Sequence, residues 1–157
     1  MDNIVQVKIL DPRASGFGQR STEMSAAYDL YACIENPMSV RHGAEATMVP
    51  TGIAAFMNDK DIACLILPRS GLAHKQGLVL GNSVGLVDAD YQNQWFISVW
   101  NRGQQDEIII HPGDRIAQAL FIPVIHPTFR HVHEFSESTG RGLGGFGSTG
   151  VSKEASL

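Results

Sequence analysis

The 157-residue sequence lacks the features that mark several common classes of protein. Its two cysteines are too few for a disulfide framework or a zinc site, and we expect both to be buried and reduced. With 12 Lys and Arg against 16 Asp and Glu, the formal net charge of -4 argues against nucleic-acid binding. No apolar run reaches the roughly 20 residues of a membrane span, and the N-terminus lacks the pattern of a secretion signal. We therefore expect a cytoplasmic protein with no membrane partner.

Sustained helical periodicity is also missing, and short alternating runs take its place. Val5, Val7 and Ile9 alternate with polar residues, and turn residues such as 111–114 separate the later runs. The predicted strands lie at residues 5–9, 28–34, 47–56, 62–67, 95–100, 107–110 and 116–125. Many short strands at this spacing predict an all-β sandwich or barrel. One or two helical turns are expected from Ser70, with that serine as the cap.

The C-terminal segment has a different composition from the rest. Residues 136–150 are rich in glycine and contain little to bury, so we expect a domain over residues 1–135 and a mobile arm over residues 136–157. One Arg, one Phe and one Ser stand between the glycines, as Arg141, Phe146 and Ser148. A phosphate binder, a stacking ring and a hydroxyl favour an arm that closes over a ligand, although a simple disordered tail stays open as the alternative.

Three internal segments combine charged residues with predicted strand ends. Arg69 and Ser70 follow a strand, which suits an anion-binding site or simply a surface arginine beside a helix start. Asp88 interrupts the apolar stretch 78–87, where a carboxylate can serve as a general base or make a tight turn. Asp114 and Arg115 are interpreted as solvated residues at a hairpin corner. The Gly-rich signatures of P-loop and dinucleotide-binding proteins are absent from the sequence.

In order along the chain, these segments resemble the five motifs of the trimeric dUTPase family. The motifs are AAYDL at 26–30, PRSGL at 68–72, GLVDADY at 85–91, GDRIAQ at 113–118 and RGLGGFGS at 141–148. The resemblance spans about residues 7–150, and the segments 80–82 and 98–103 resemble bacterial members. Ala27, Asn93 and Phe96 depart from the Gly, Gly and Met that are usual there. Asn tolerates left-handed backbone, so the hairpin is expected to survive Asn93.

The resemblance implies a fold, an assembly and a reaction. The fold is a dUTPase-like β-jelly roll of the β-clip type, in a homotrimer whose active sites are shared between chains. The arm 136–157 would close an active site on a neighbouring subunit. The reaction is hydrolysis of dUTP to dUMP and pyrophosphate with Mg²⁺, by in-line attack of a water activated by Asp88 on the α-phosphate. Such an enzyme keeps uracil out of DNA and supplies dUMP for thymidylate synthesis.

The same resemblance implies roles for individual residues. Tyr91 would pack under the deoxyribose and exclude a 2′-hydroxyl, Phe96 would form the sugar-side wall, and Asp29 would face the metal through water. Asn82 and the backbone of residues 86–88 would read the uracil edge. The residues implied to bind substrate are Arg69, Ser70, Gly71, Asn82, Leu86, Val87, Asp88, Tyr91, Phe96, Gln118, Arg141, Phe146, Gly147 and Ser148.

Three other functions remain as alternatives. A dCTP deaminase shares the fold, but its hairpin and tail differ from the Asp-Ala-Asp-Tyr and Arg-Gly-Leu-Gly-Gly-Phe-Gly sequences found here. A non-catalytic nucleotide sensor or protein-binding module on the same scaffold has no need to keep both the general base and the arm. A purely structural jelly roll explains none of the motifs.

Overall fold

A computed structural model of the protein describes residues 4–14 and 17–144. The chain divides into two compact units, one ending at His126 and the other beginning at Pro127. The described part of the first unit contains eleven strands and one short helix. The elements are β1 (Gln6–Ile9), β2 (Tyr28–Tyr31), β3 (Met38–Arg41), β4 (Thr47–Pro50), β5 (Ile53–Phe56), β6 (Ile62–Pro68), α1 (Ser70–Lys75), β7 (Leu78–Leu80), β8 (Gly85–Val87), β9 (Phe96–Asn101), β10 (Glu107–Ile110) and β11 (Arg115–Pro123).

The strands form antiparallel sheets, which confirms the all-β prediction. The largest sheet has the order β2-β11-β6-β8, and a three-stranded sheet has the order β4-β9-β7. Two further pairs, β1 with β5 and β10 with β3, complete the assigned pairings. Every pairing between described strands is antiparallel. None of these pairs joins two strands that are consecutive in the sequence, so every pairing depends on contacts between distant segments.

The side-chain alternation of β6 shows how one face of the large sheet forms the core. Cys64 and Ile66 are buried, whereas Leu65 and Leu67 are only partly covered, because successive side chains on a strand point to opposite faces. Burial raises the pKa of the Cys64 thiol to about 12, so this cysteine stays protonated and acts as a small core residue. Cys33 is also buried and free, as expected.

Several predicted runs are shorter or divided in the structure, and the strands β3, β7 and β8 were not predicted. The run 47–56 divides into β4 and β5 because Gly52 adopts a φ of 70°, and a Cβ there would lie 2.5 Å from the sulfur of Cys33. The last run ends at Pro123 and not at residue 125. Strand β3 was missed because Val40 is its only buried side chain.

The short helix lies where it was expected, but the predicted serine cap is wrong. Helix α1 begins at Ser70, and its N-cap is Arg69, whose ψ of 127° is extended and whose side chain makes no capping hydrogen bond. The serine hydroxyl is therefore available for a role other than capping. No helix within the described ranges is long and apolar enough to span a bilayer.

In the second unit, residues 127–144 contain no helix or strand. A turn forms where the Gly142 N–H donates to the Thr139 carbonyl at 2.9 Å. Its large apolar side chains are exposed, with Phe135 at 90%. The predicted domain boundary after residue 135 lies within this unit. Residues 145–157, including the predicted ligands Phe146, Gly147 and Ser148, lie outside the described residues.

Candidate active site

Asp29 is the centre of an ion-pair cluster at one end of the large sheet. Its carboxylate, on β2, is 9% exposed and accepts hydrogen bonds from two arginines and one serine. Arg69 Nε donates to Oδ1 at 2.9 Å, while Ser21 Oγ at 3.0 Å and Arg115 Nη1 at 3.3 Å donate to Oδ2. Because β11 lies between β2 and β6, the three charged residues come from neighbouring strand ends.

The cluster leaves an excess of positive charge facing outward. Two guanidinium groups surround a single carboxylate, and Arg69 uses only its Nε to bond a described residue. A guanidinium has five N–H donors, so Arg69 and Arg115 retain donors for a further partner. Arginine held at one edge by a carboxylate presents its other edge in a fixed direction, which is well suited to binding an anion.

A cavity of about 450 Å³ adjoins this cluster, and we call it the cationic pocket. Its lining brings together five of the predicted residues, namely Asp29, Arg69, Ser70, Gly71 and Gln118, with Ser21, Ser25, Ala26, Ala27, Leu67 and Leu120. Gln118 Nε2 donates to the Pro68 carbonyl at 3.0 Å, which fixes the strand end just before Arg69. A Cβ on Gly71 would meet no atom within 4 Å, so the backbone there borders open space.

A second, smaller cavity of about 240 Å³ lies at the hairpin after β8, and we call it the hairpin pocket. It brings together six other predicted residues, Asn82, Leu86, Val87, Asp88, Tyr91 and Phe96, with Met48, Ile66, Gly85 and Trp95. Val87, Ile66 and Trp95 are buried and form the floor, whereas Tyr91 and Phe96 are about two-fifths exposed at the rim. The volume suits a group of about nucleoside size rather than a larger ligand.

Local bonds hold the hairpin in shape. The Tyr91 N–H donates to the Asp88 carbonyl at 3.2 Å, and the Tyr91 hydroxyl donates to the Gln94 carbonyl at 3.1 Å. Asn93 does not use the left-handed backbone that its amide side chain was expected to tolerate, since Asn58 and Ser83 are the non-glycine residues with positive φ among those described. Its Oδ1 instead accepts the Gln94 N–H at 2.8 Å. The hairpin therefore survives without glycine for a different reason from the one predicted.

Trp95, which the sequence analysis did not single out, lies in the floor of the hairpin pocket. The residue is 1% exposed, and within the described ranges its Nε1–H is the buried side-chain polar group without a hydrogen-bond partner. A buried unpaired donor costs about 1–3 kcal/mol, so native proteins keep few of them. The one sequence signal that could have placed Trp95 in this pocket is its position immediately before the predicted wall residue Phe96.

The two pockets lie on opposite faces of the large sheet. Ile66 lines the hairpin pocket and the next residue of β6, Leu67, lines the cationic pocket. Leu67 pairs with Gln118, and Gln118 pairs with Asp29, so these three residues form one row on the outer face. Ile66 belongs to the buried face. The two pockets share no lining residue.

Arg115 is exposed, as its interpretation as a solvated residue predicts, but it also makes an ion pair that was not predicted. It pairs with Asp29, while the neighbouring Asp114 accepts the His111 N–H at 2.7 Å in a turn. Ser21 was not predicted at all. Arg141 lies in the second unit, where its Nε donates to the Gly144 carbonyl at 3.1 Å. Among the described residues, no group of three or more His, Cys, Asp or Glu side chains is placed to hold a metal ion.

An all-β scaffold with a nucleoside-sized pocket and a separate arginine-lined pocket defines a nucleotide-binding class of protein. The family model of dUTPase matches residues 16–150. A protein of Klebsiella pneumoniae strain 342 is 51% identical over 152 residues, covering 93% of this chain and 96% of its own length. A protein of Legionella pneumophila strain Paris is 50% identical over 153 residues, with coverages of 96% and 99%. Both are named deoxyuridine 5′-triphosphate nucleotidohydrolase. The chain belongs to the dUTPase family.

Solved structures agree with the family assignment. The dUTPase of Staphylococcus bacteriophage 80alpha with dUPNHPP superposes with a TM-score of 0.85 at 26% identity, covering 95% of this chain and 99% of the phage protein. A dUTPase variant from phage phi11 of S. aureus, described with a structural Mg(II) ion, has a TM-score of 0.75 at 22% identity, covering 86% of this chain and all of its own. The jelly-roll fold implied by the motifs is thereby confirmed.

Proposed function

We propose that the protein hydrolyses dUTP to dUMP and pyrophosphate, using Mg²⁺ and active sites shared between the chains of a homotrimer. The observation that carries the proposal is the pair of complementary pockets. One has the size and lining for a nucleoside and has Asp88 at its rim, and the other is lined by Arg69, whose partner Asp29 also pairs with Arg115. A nucleoside triphosphate needs both kinds of pocket.

In the proposed mechanism, Asp88 accepts a proton from the attacking water. The water oxygen bonds to the α-phosphorus while the bond from that phosphorus to the bridging oxygen breaks, and pyrophosphate leaves with that oxygen. Asp88 is exposed, and its backbone carbonyl is held by the Tyr91 N–H. The attack is in line with the leaving group, and most of the catalytic effect comes from stabilising the phosphate charge.

The cationic pocket would provide that stabilisation. Arg69, Ser70, Gly71 and Gln118 would hold the phosphate chain, with Asp29 orienting both arginines. The residues present fit a magnesium ion carried mainly by the triphosphate and water, as this hard ion prefers. Both Asp29 oxygens already accept hydrogen bonds, so its contact with the ion would be indirect, through water.

The hairpin pocket would select the base and the sugar. Asn82 and the backbone of residues 86–88 would read the uracil edge, and backbone groups have fixed donor and acceptor directions that reject the wrong base. Tyr91, anchored by its hydroxyl, would pack under the deoxyribose, with Phe96 as the second wall. A 2′-hydroxyl would then overlap the tyrosine ring.

Three copies of the chain would build each site. Because Ile66 and Leu67 face different pockets, the nucleoside and the phosphates of one dUTP would contact different chains. The arm 136–157 of a third chain would close the site, with Arg141 and Ser148 on phosphates, Phe146 on the base and Gly147 beside it. Buried free cysteines support the proposed cytoplasmic location, where thiols stay reduced.

Product analysis tests this function. The purified protein is incubated with dUTP or dCTP and Mg²⁺, and the products are identified by chromatography. We expect dUMP and pyrophosphate from dUTP and no deamination of dCTP. Asp88→Asn should still bind dUTP but lose about two to four orders of magnitude in kcat, since the amide cannot accept a proton. Asp90→Asn, two residues further along the same exposed loop, is the matched control and should retain activity. Deamination of dCTP, or binding without turnover, would favour the deaminase or the sensor instead.

A further inference from the structure

The segment that joins β7 to β8 passes from one sheet to another within residues 81–84. Strand β7 pairs with β9 in the three-stranded sheet, whereas β8 pairs with β6 in the large sheet. Leu80, just before this connection, and Val87, shortly after it, are both buried. A shift of either strand would move a core residue, so the connection has to span the two sheets at a fixed length.

Glycines hold both ends of the connection close to neighbouring strands. The Gly81 N–H donates to the Ser98 carbonyl at 2.9 Å, and a Cβ on Gly81 would lie 2.8 Å from the Ser98 hydroxyl oxygen. A Cβ on Gly85 would lie 2.9 Å from the Cβ of Ile66. Because side chains other than glycine would clash at both ends, the change of direction has to occur within residues 82–84.

Ser83 makes this change of direction in a strained backbone conformation. Its φ is 62°, and the Val84 N–H donates to the Asn82 carbonyl at 2.7 Å, so residues 82–84 close a γ-turn whose central residue has a positive φ. This form of the γ-turn is rare and strained, and a serine is not among the residue types that adopt left-handed backbone readily. Such strain persists only where the surrounding structure imposes it, and it is concentrated at functional sites.

The residue beside this turn is Asn82, which lines the hairpin pocket. The peptide before Asn82 follows the clamped Gly81, and the carbonyl of Asn82 itself is the acceptor of the γ-turn. The backbone is therefore held on both sides of the residue, which fixes the direction of its Cα–Cβ bond. A side chain that recognises a ligand by hydrogen bonds binds more tightly when it is held in place before the ligand arrives.

We propose that Ser83 is a positioning residue for base recognition, whose left-handed backbone holds Asn82 in the orientation that reads the uracil edge. This inference rests on the proposed function, in which Asn82 contacts the base, and it adds a residue that acts through Asn82 without touching the ligand. The strain at Ser83 opposes folding, whereas the fixed direction of Asn82 favours binding. Relieving the strain should therefore change stability and affinity in opposite directions.

Ser83→Gly tests this separation. Glycine adopts positive and negative φ with similar ease, so the strain is relieved and the turn gains further conformations. The melting temperature should equal or exceed that of the wild type. The dissociation constant of a dUTP analogue with an imido group between the α- and β-phosphorus should rise about 3- to 10-fold, the range of one neutral hydrogen bond. The KM for dUTP should rise with it, and kcat should change less.

Two further variants show whether the effect passes through Asn82. Ser83→Asn is the conservative control, because asparagine tolerates left-handed backbone, and its affinity for the analogue should match the wild type. Asn82→Ala removes the side chain that is being positioned and should itself weaken binding. Adding Ser83→Gly to Asn82→Ala should cause no further loss, since no amide is left to be misplaced. Equal losses from Ser83→Gly in both backgrounds would overturn the inference.

The outcomes separate the two levels of the proposal. Hydrolysis of dUTP with equal analogue affinity in wild type and Ser83→Gly leaves the proposed function standing and removes the role of Ser83. A melting temperature of Ser83→Gly far below that of the wild type also removes it, because the serine would then support the fold. A wild-type protein that neither binds the analogue nor hydrolyses dUTP removes both the function and the inference.

Discussion

Because the two pockets lie on different faces of one sheet, we predict how much activity is recovered when two inactive variants assemble into mixed trimers. One chain carries Asp88→Asn and loses the general base of the hairpin pocket. A second chain carries Arg69→Ala and loses the main cation of the other pocket. In the second variant, Asp29 still accepts bonds from Arg115 and Ser21, so the sheet end keeps a paired carboxylate. Each variant alone should be nearly inactive.

The magnitude follows from counting chains. If a site takes its hairpin from one chain and its cationic pocket from another, random 1:1 mixing makes each half intact with a probability of one half. About one quarter of the sites are then complete, and the mixture should have about one quarter of wild-type activity. If a single chain supplied both halves, no site would be complete and the mixture would stay inactive.

A double variant provides the matched control. When both substitutions are on one chain and that chain is mixed 1:1 with wild type, shared sites again give about one quarter of wild-type activity, but single-chain sites give about one half. The chains are coexpressed with different tags, the share of trimers that contain both is quantified, and pyrophosphate release from the unfractionated mixture is measured under dUTP saturation. Mixed trimers without recovered activity would refute the shared site.

Three further outcomes follow from the described contacts. Asp29→Asn should lower the free energy of unfolding by about 1–2 kcal/mol in a denaturant titration, because two charge-assisted bonds weaken at a buried position. The control is Asp61→Asn, which removes an exposed ion pair with Lys60 and should leave the denaturation midpoint unchanged. Equal effects of the two substitutions would contradict the role of burial. Tyr91→Ala should raise kcat/KM for UTP relative to dUTP in steady-state assays, and an unmoved ratio would place sugar selection elsewhere, with Phe96 as the next residue to test. Deleting residues 140–157 should lower turnover far more than the melting temperature, whereas normal turnover would reduce the segment to an ordinary tail.

The strands were predictable where burial alternates strongly along the sequence. Strand β6 is an example, because its inward residues Cys64 and Ile66 are apolar and its ends are marked by polar turns. Strand β3 carries one buried residue, and its position depends on the pairing of Val40 with Ile108, far away along the chain. Alternation within four residues cannot reveal such a partner.

The candidate site was predictable as a set of motifs but not as a set of contacts. The order of the motifs identified Arg69 and Asp29 as candidate binding residues. Their ion pair joins residues 40 positions apart, and that of Arg115 with Asp29 joins residues 86 apart, which depends on the strand order of the sheet. The unpaired indole of Trp95 is likewise a property of packing, since no local pattern states which donors will lack acceptors.

The alternation of Ile66 and Leu67 on β6 has a consequence for how neighbouring active sites behave. In the proposed trimer, each chain contributes to one site through the inner face of this strand and to the next site through its outer face. Ligand-induced displacement of β6 at one site would reach the adjacent site through a single peptide bond, without crossing a subunit boundary. The three sites would then share a mechanical connection inside each chain, and their occupancies need not be independent.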